Sequence, residues 1–301
     1  MHPEAPWRGC HGVRLHGAEL DLGTACGTPL ADASVETIAG LSRPLPDTAP
    51  LWEASASIGG MTVAQRAWRR DDGSLVVHTD AGAAVDVDLD AGRVTVEAAR
   101  PEVAAQLVAT YALPLLVQHT ASLVLHASAA VRPGAGAVLV CGRSGRGKSS
   151  TLVGLVDAGW APISEDLAAV DLRAAPPVVW PGPPWVRRPR RDPGPRGASA
   201  RFETPDKTAW DLAPVQVRAA VPVERIVVLD EPGGDAPRRT PVSRADAVAL
   251  VAPHAVWLGA QSEVAARLFP SVLRVTAAVE IERVRVPRSA AWLDDVVALL
   301  S

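Results

Sequence analysis

The segment Gly142-Arg-Ser-Gly-Arg-Gly-Lys-Ser149 fits the pattern G-x-x-x-x-G-K-[ST] without a mismatch. Residues of these types at this spacing hold phosphate groups. Gly142, Gly145 and Gly147 carry no Cβ, so backbone N–H groups can curve around an anion. A helix beginning near Lys148 would turn its positive end to the same place. Lys148 would reach the β- and γ-phosphates of a nucleotide, and the Ser149 hydroxyl would ligate Mg2+. Ser144, Arg146 and Ser150 complete the expected contact set. The cofactors this motif predicts are ATP and Mg2+.

A nucleotide site that does chemistry also needs carboxylates, one to hold the metal and one to accept a proton. Glu165 and Asp166 follow the loop by one predicted helix. On an extended chain the two side chains would point to opposite sides, so one could face Mg2+ and water while the other faces the incoming nucleophile. An ordinary polar turn would use the same dipeptide.

Lysine occurs only at Lys148 and Lys207 in the 301 residues, and asparagine does not occur. Without asparagine, the NKxD motif that reads guanine and the HRDxxxxN loop of eukaryotic-type kinases are excluded. Arginine replaces lysine wherever a compact point charge is not required, so the two lysines that remain stand out. Lys207 is a candidate second contact to a phosphate or a substrate carboxylate, the alternative being a solvated loop lysine. Arg187, Arg188, Arg190 and Arg191 form the densest basic run. It could receive an acidic peptide or an extra phosphate, or be a solvated loop between prolines. Trp180 and Trp185 beside it could pack that loop down or line a groove. Cys10, Cys26 and Cys141 have neither disulfide-framework nor metal-ligand spacing, and His254 falls in no ligand constellation.

These residues need a strand before the loop and a helix after it. Residues 136–141 read as a buried strand and 148–159 as a helix ending at Gly159. Residues 122–131 read as a strand pair or one long strand, and 161–166 and 167–172 as further extended segments. Residues 225–230 and 279–286 are strand-like; 243–258, 262–275 and 289–300 are helical. The Pro-, Arg- and Gly-rich stretch 173–200 predicts largely irregular structure. The first hundred residues are β-rich, with strands over 51–58, 61–68, 74–79, 83–90 and 93–98. A helix over 101–119, with Pro101 at its start and a kink at Pro114, marks the change of pattern. Two domains are expected, 1–100 and 101–301.

Composition bounds the rest. With 48% hydrophobic and 21% charged residues the chain can bury a core. A net charge of −3 argues against a nucleic-acid coat or a polybasic membrane binder. No run of apolar residues is long enough for a membrane span, and the first residues do not read as a signal peptide. A cytoplasmic protein without nucleic-acid or membrane partners is expected.

The stretch 125–172, LHASAAVRPGAGAVLVCGRSGRGKSSTLVGLVDAGWAPISEDLAAVDL, resembles the C-terminal kinase domain of HPr kinase/phosphorylase. It is similar also to HPr-kinase-related proteins of peptide biosynthesis clusters, including lasso-peptide tailoring kinases. A histidine one strand before the loop (His126), the loop, a helix ending in Gly and the acidic pair carry the resemblance, which extends over roughly residues 105–300. It implies an α/β P-loop domain of the HPr kinase/phosphoenolpyruvate carboxykinase type; the β-rich N-terminal domain before it does not resemble that family's N-terminal domain and is expected, on fold economy, to serve substrate or partner recognition. The resemblance implies Asp166 as the base that takes a serine proton, His126 as its support, and catalytic Lys148. Glu165 stands where the family usually has Asp. The implied activity is ATP- and Mg2+-dependent phosphorylation of a hydroxyl, most readily serine of a peptide or protein, by a possible homo-oligomer. A kinase of a small hydroxylated molecule and a nucleotide-binding regulatory protein with little transfer are the alternatives.

Overall fold

The computed structural model describes residues 7–17, 20–38, 44–58, 61–120, 122–204, 206–231, 233–256, 261–287 and 292–301. It is a mixed α/β structure with two nine-stranded sheets and a small three-stranded one among the described residues.

The first sheet runs, in spatial order, Thr24–Ala25, Trp7–Cys10, Val13–Gly17, Ala31–Ile38, Arg93–Glu97, Ala83–Asp88, Leu75–Thr79, Met61–Arg69 and Trp52–Ile58. The five strands read from the sequence in this region are present, and four more precede them. Alternation decides which face is buried: Val85, Val87, Val94 and Val96 have no exposed surface, while Asp86 and Thr95 between them face the other way. The segment 101–119 covers the buried face as helix Pro101–Leu107, a π-turn Val108–Ala112 and helix Leu113–His119. Pro114 has no N–H to donate to the preceding turn, and the widened π-turn just ahead of it absorbs the mismatch. Ala104, Val108, Leu113 and Val117 pack in one cluster with the sheet. A division of the chain after residue 100 therefore falls between a sheet and the helix that covers it.

The second sheet has the path Leu123–Leu125, Ala168–Asp171, Val178–Trp180, Val221–Leu229, Ala137–Cys141, Ala127–Val131 and Ala161–Ser164. Ala137–Cys141 and Val221–Leu229 are parallel, as are Val221–Leu229 and Glu280–Arg285. A parallel strand is covered on both faces and reads as a continuous apolar run; all five residues of Ala137–Cys141 are buried. Val138 and Val140 pack against Leu152 and Leu155 of helix Lys148–Asp157 and Val296 and Leu300 of helix Leu293–Leu300. Leu139 and Cys141 face the opposite cluster, with Val251 of helix Arg244–Val251 and Val272 and Val275 of helix Gln261–Ala278. Burial pushes the Cys141 thiol up to about 12, so it is an inert apolar residue.

The stretch 173–200 is largely irregular, as expected, but it also carries two short strands and the start of a third. Val178–Trp180 joins the second sheet, and Trp185–Pro189 pairs with Lys207–Asp211, whose other neighbour is Ala200–Glu203. Proline is tolerated here because it sits at strand ends. Trp180 and Trp185 are both buried in the cluster of the first sheet, together with Val124, Leu167 and Ala169. The two sheets thus share apolar packing: the Trp7 and Trp180 ring centroids are 5.9 Å apart, and His11 N–H donates to Pro181 O at 2.6 Å. Among the described residues no helix is long and apolar enough to cross a membrane.

Candidate active site

The strand Ala137–Cys141 delivers the Gly142–Ser149 loop to the N-terminus of helix Lys148–Asp157, as the motif requires. Gly147 caps that helix at φ +89°, in the left-handed region, and a Cβ there would also meet Trp292 Cη2 at 2.9 Å. Only glycine fits. Lys148 is buried and donates from Nζ to the carbonyl of Gly142 at 2.8 Å and to that of Arg143 at 3.4 Å. Its ammonium is thereby held inside the curve of the loop. Burial lowers its pKa, and the charges of Asp166 and Glu165 oppose the shift. Ser144 lies exposed on the loop and Ser150 half-buried in the first helical turn. The Arg146 side chain pairs with Glu231, just beyond the parallel strand Val221–Leu229. Sequence reasoning passed over Glu231 and its neighbour Asp230, although an acidic pair after an apolar strand run was legible.

Ser149 Oγ donates to Glu165 Oε1 at 2.7 Å. Glu165 is buried, and burial raises its pKa against the opposing charge of Arg187. Asp166 adopts φ +71°, so the pair lies in a turn after Ala161–Ser164 and not on an extended chain. The expectation of opposed side chains is therefore corrected: both carboxylates meet Arg187. Arg187 Nη2 donates to Asp166 Oδ2 at 2.7 Å, and its Nε lies 3.6 Å from Glu165 Oε2. His126 occupies the break between Leu123–Leu125 and Ala127–Val131, and its Nε2 lies 3.0 Å from Asp166 Oδ1. Burial would raise the Asp166 pKa, but the His126 hydrogen bond and the Arg187 charge outweigh it and hold the carboxyl well below the usual range. Asp166 is ionised, so Nε2 carries the proton and donates.

The structure brings Ser149, Glu165, Asp166, His126 and Arg187 into one network, with Lys148 close enough for the charges of both acids to act on it. Lys207, at the start of its strand, is close enough for its charge to act on Glu165 and Lys148. Arg188 is not part of this network; strand alternation turns it away and it pairs with Asp192 at 3.2 Å. Two histidines missed in the sequence stand nearby. His254 is buried and accepts the His126 N–H at its backbone carbonyl at 2.7 Å. Burial lowers it to about 4, assisted by the charge of His126. His11, from the first sheet, is 1% exposed and lines a small cavity with Glu165, Asp166 and Arg187. It too is lowered to about 4 by burial. Its hairpin turn, His11-Gly12 with φ of +56° and +80°, carries no signal of a site in the sequence.

No family model and no curated protein matches the sequence. Among solved structures the chain is similar to the HPr(Ser) kinase/phosphatase from Coxiella burnetii, at 13% identity and a TM-score of 0.33, over 59% of this chain and 93% of that one. A superposition this loose carries no argument about function, which rests on the chain's own residues.

Proposed function

We propose that this chain is an ATP- and Mg2+-dependent kinase that phosphorylates a hydroxyl, with serine in a peptide or protein as the preferred acceptor. The observation that carries the reading is the single network in which the phosphate-loop residue Ser149 bonds Glu165 while the adjacent Asp166 is held by His126 and Arg187. A phosphate cradle and a proton acceptor are then neighbours, which phosphoryl transfer requires.

The donor set suits the metal. A hydroxyl and a carboxylate 2.7 Å apart are hard oxygen ligands, and Mg2+ takes few protein ligands, keeping water and phosphate oxygens for the rest. Among the described residues no cluster of three His, Cys, Asp or Glu forms a metal cage, so Ser149 and Glu165 would hold the ion together with the nucleotide. Bound there, Mg2+ would neutralise charge on the phosphates.

The loop N–H groups and Lys148 would hold the β- and γ-phosphates. Asp166 would accept a hydrogen bond from the acceptor hydroxyl and orient it. As the bond from the acceptor oxygen to the γ-phosphorus forms and the bond to the bridging oxygen of ADP breaks, the hydroxyl proton passes to Asp166 and then to solvent. Its low basicity is tolerable because a loose transition state requires little help from a base until late. Arg187 and Lys207 would offset charge on the transferred group.

A second reading, a nucleotide-binding regulator with little transfer, is favoured by one observation: both Asp166 oxygens are already engaged, by His126 and Arg187. ADP formation from Mg-ATP decides between them, measured with serine peptides and free hydroxy compounds. Acceptor-dependent ADP that disappears in Asp166→Asn supports the kinase. Nucleotide binding that needs Lys148, without ADP from any acceptor, supports the regulator.

A further inference from the structure

Among the described residues, two that are not glycine adopt left-handed backbone: His11 at φ +56° and Asp166 at φ +71°. Both line the same small cavity. Residues held in sparsely populated backbone regions gather at functional sites. Asp166 is the proton acceptor of the proposed reaction, and His11 reaches it from the first sheet.

His11 is unusual in a second way. Its side chain is 1% exposed, yet the imidazole makes no hydrogen bond among the described residues, and Nδ1 is buried without a partner. A buried polar group left unpaired lowers stability, and an apolar ring would fill the space without that loss. Packing therefore does not account for a histidine here. The residue is held firmly in place. Its backbone N–H donates to Pro181 O at 2.6 Å, and a Cβ on Gly182 would meet its Cε1 at 3.2 Å.

Glu165 lines the cavity together with Asp166. A group seated there lies against the proposed base and against the carboxylate that Ser149 of the phosphate loop bonds at 2.7 Å. The cavity is about 20 Å3, room for one group the size of a water molecule. Gln106 and Thr110 line it from the segment that covers the first sheet, Thr110 within the π-turn. Both are half-buried, so they stand between the cavity and solvent, and neither side chain makes a hydrogen bond among the described residues.

We propose that this cavity seats the hydroxyl of the acceptor, that a His11 ring N–H donates a hydrogen bond to its oxygen, and that the acceptor is a primary alcohol. The space holds a hydroxyl but not a methyl group beside it, so serine is taken and threonine refused. The hydroxyl proton passes to Asp166 as the oxygen–phosphorus bond forms and the bond to the bridging oxygen of ADP breaks; His11 keeps its own proton. The first sheet and its covering helix thus form one wall of the acceptor site. The proposal deepens the kinase reading and rests on it.

The experiment measures phosphate transfer from Mg-ATP by the full chain to serine and to threonine, each in a matched peptide and as the free amino acid. Binding of a fluorescent ATP analogue and thermal melts accompany it. The parent should prefer serine by at least about tenfold in kcat/KM, the scale of one added carbon in a tight site. His11→Gly suits the left-handed backbone and removes the imidazole. It should lower kcat/KM for serine roughly 3- to 10-fold, the scale of one neutral hydrogen bond, with the affinity for the ATP analogue unchanged. Thr110→Ala widens the entrance and should shrink the preference for serine by roughly 3- to 10-fold; it decides the matter even where His11→Gly melts early. Equal use of serine and threonine, a preference untouched by Thr110→Ala, or a folded His11→Gly as active as the parent overturns the acceptor cavity and leaves the kinase reading standing. Loss of nucleotide affinity in His11→Gly as large as the loss of transfer would make His11 a structural residue and overturns it too. A parent that transfers phosphate to none of these acceptors removes the kinase reading and the proposal with it.

Discussion

Lys148 is held in the loop by two carbonyls at 2.8 and 3.4 Å, which a phosphate oxygen must outbid. A charge-assisted hydrogen bond contributes about 1.5–3 kcal/mol, so Lys148→Ala should weaken binding of a fluorescent ATP analogue by roughly 10- to 100-fold. Asp166→Asn keeps the size of the side chain and removes the proton acceptor; transfer should fall by ~100- to 10,000-fold while nucleotide affinity changes little. Arg187 tests the electrostatics from the other side. Among the described residues it is the one cation contacting both carboxylates, and removing it with Arg187→Ala leaves two negative charges facing each other, at a cost of about 3–5 kcal/mol. Protonating the acids relieves that repulsion, so denaturation should show a larger deficit at about pH 8 than at about pH 5. At this scale the sequence was readable where a motif fixes the chemistry, as at Lys148 and Ser149. It was not readable at Arg187, because a run of arginines between prolines has the same composition whether it is solvated or buried. Only pairing in a strand distinguishes Arg187, turned to the acids, from Arg188, turned to Asp192.

At the scale of elements, the loop depends on the helix that follows and on what presses against it. Helix Leu293–Leu300 lies on helix Lys148–Asp157 at Gly154, where an added Cβ would meet Val297 Cγ2 at 2.9 Å and Leu293 Cγ at 3.0 Å. Gly154→Val would force the two helices apart, costing ~1–3 kcal/mol. Because Trp292, at the start of the C-terminal helix, touches Gly147, the same change should loosen the loop. The thermal midpoint and the affinity for the ATP analogue should therefore drop together. The strand–loop–helix unit was legible because a buried strand, a glycine loop and an apolar helix each have a local pattern. Trp185–Pro189 and Lys207–Asp211 were not, since they are short, rich in proline, arginine or polar residues, and gain their strand form from each other. The parallel neighbours Val221–Leu229 and Glu280–Arg285 were legible as strands but not as neighbours of the loop strand, because pairing across such separations leaves no local trace.

For the whole molecule, the seam between the two large sheets is where buried histidines collect. His11 enters the second sheet's surroundings from the first, and His254 lies behind His126; burial lowers both to about 4. An unfolded histidine has a pKa of about 6.5. Between these values the unfolded chain binds protons that the folded chain refuses, so folding stability is greatest above about pH 6.5 and declines as pH falls toward 4. Each histidine contributes ~1–3 kcal/mol to that decline, after which the loss levels off. Reference carboxylates titrate near about 4, below the upper part of this window, where histidine titrates. Denaturant midpoints across it should fall in the parent. They should fall less in His11→Gln and in His254→Gln, and least in the double variant, even where the variants start from a lower stability at neutral pH. A parent whose midpoint stays flat over this range would mean that the seam admits water and that the two sheets are joined less tightly than their shared cluster of Trp7, Trp180 and Leu167 requires.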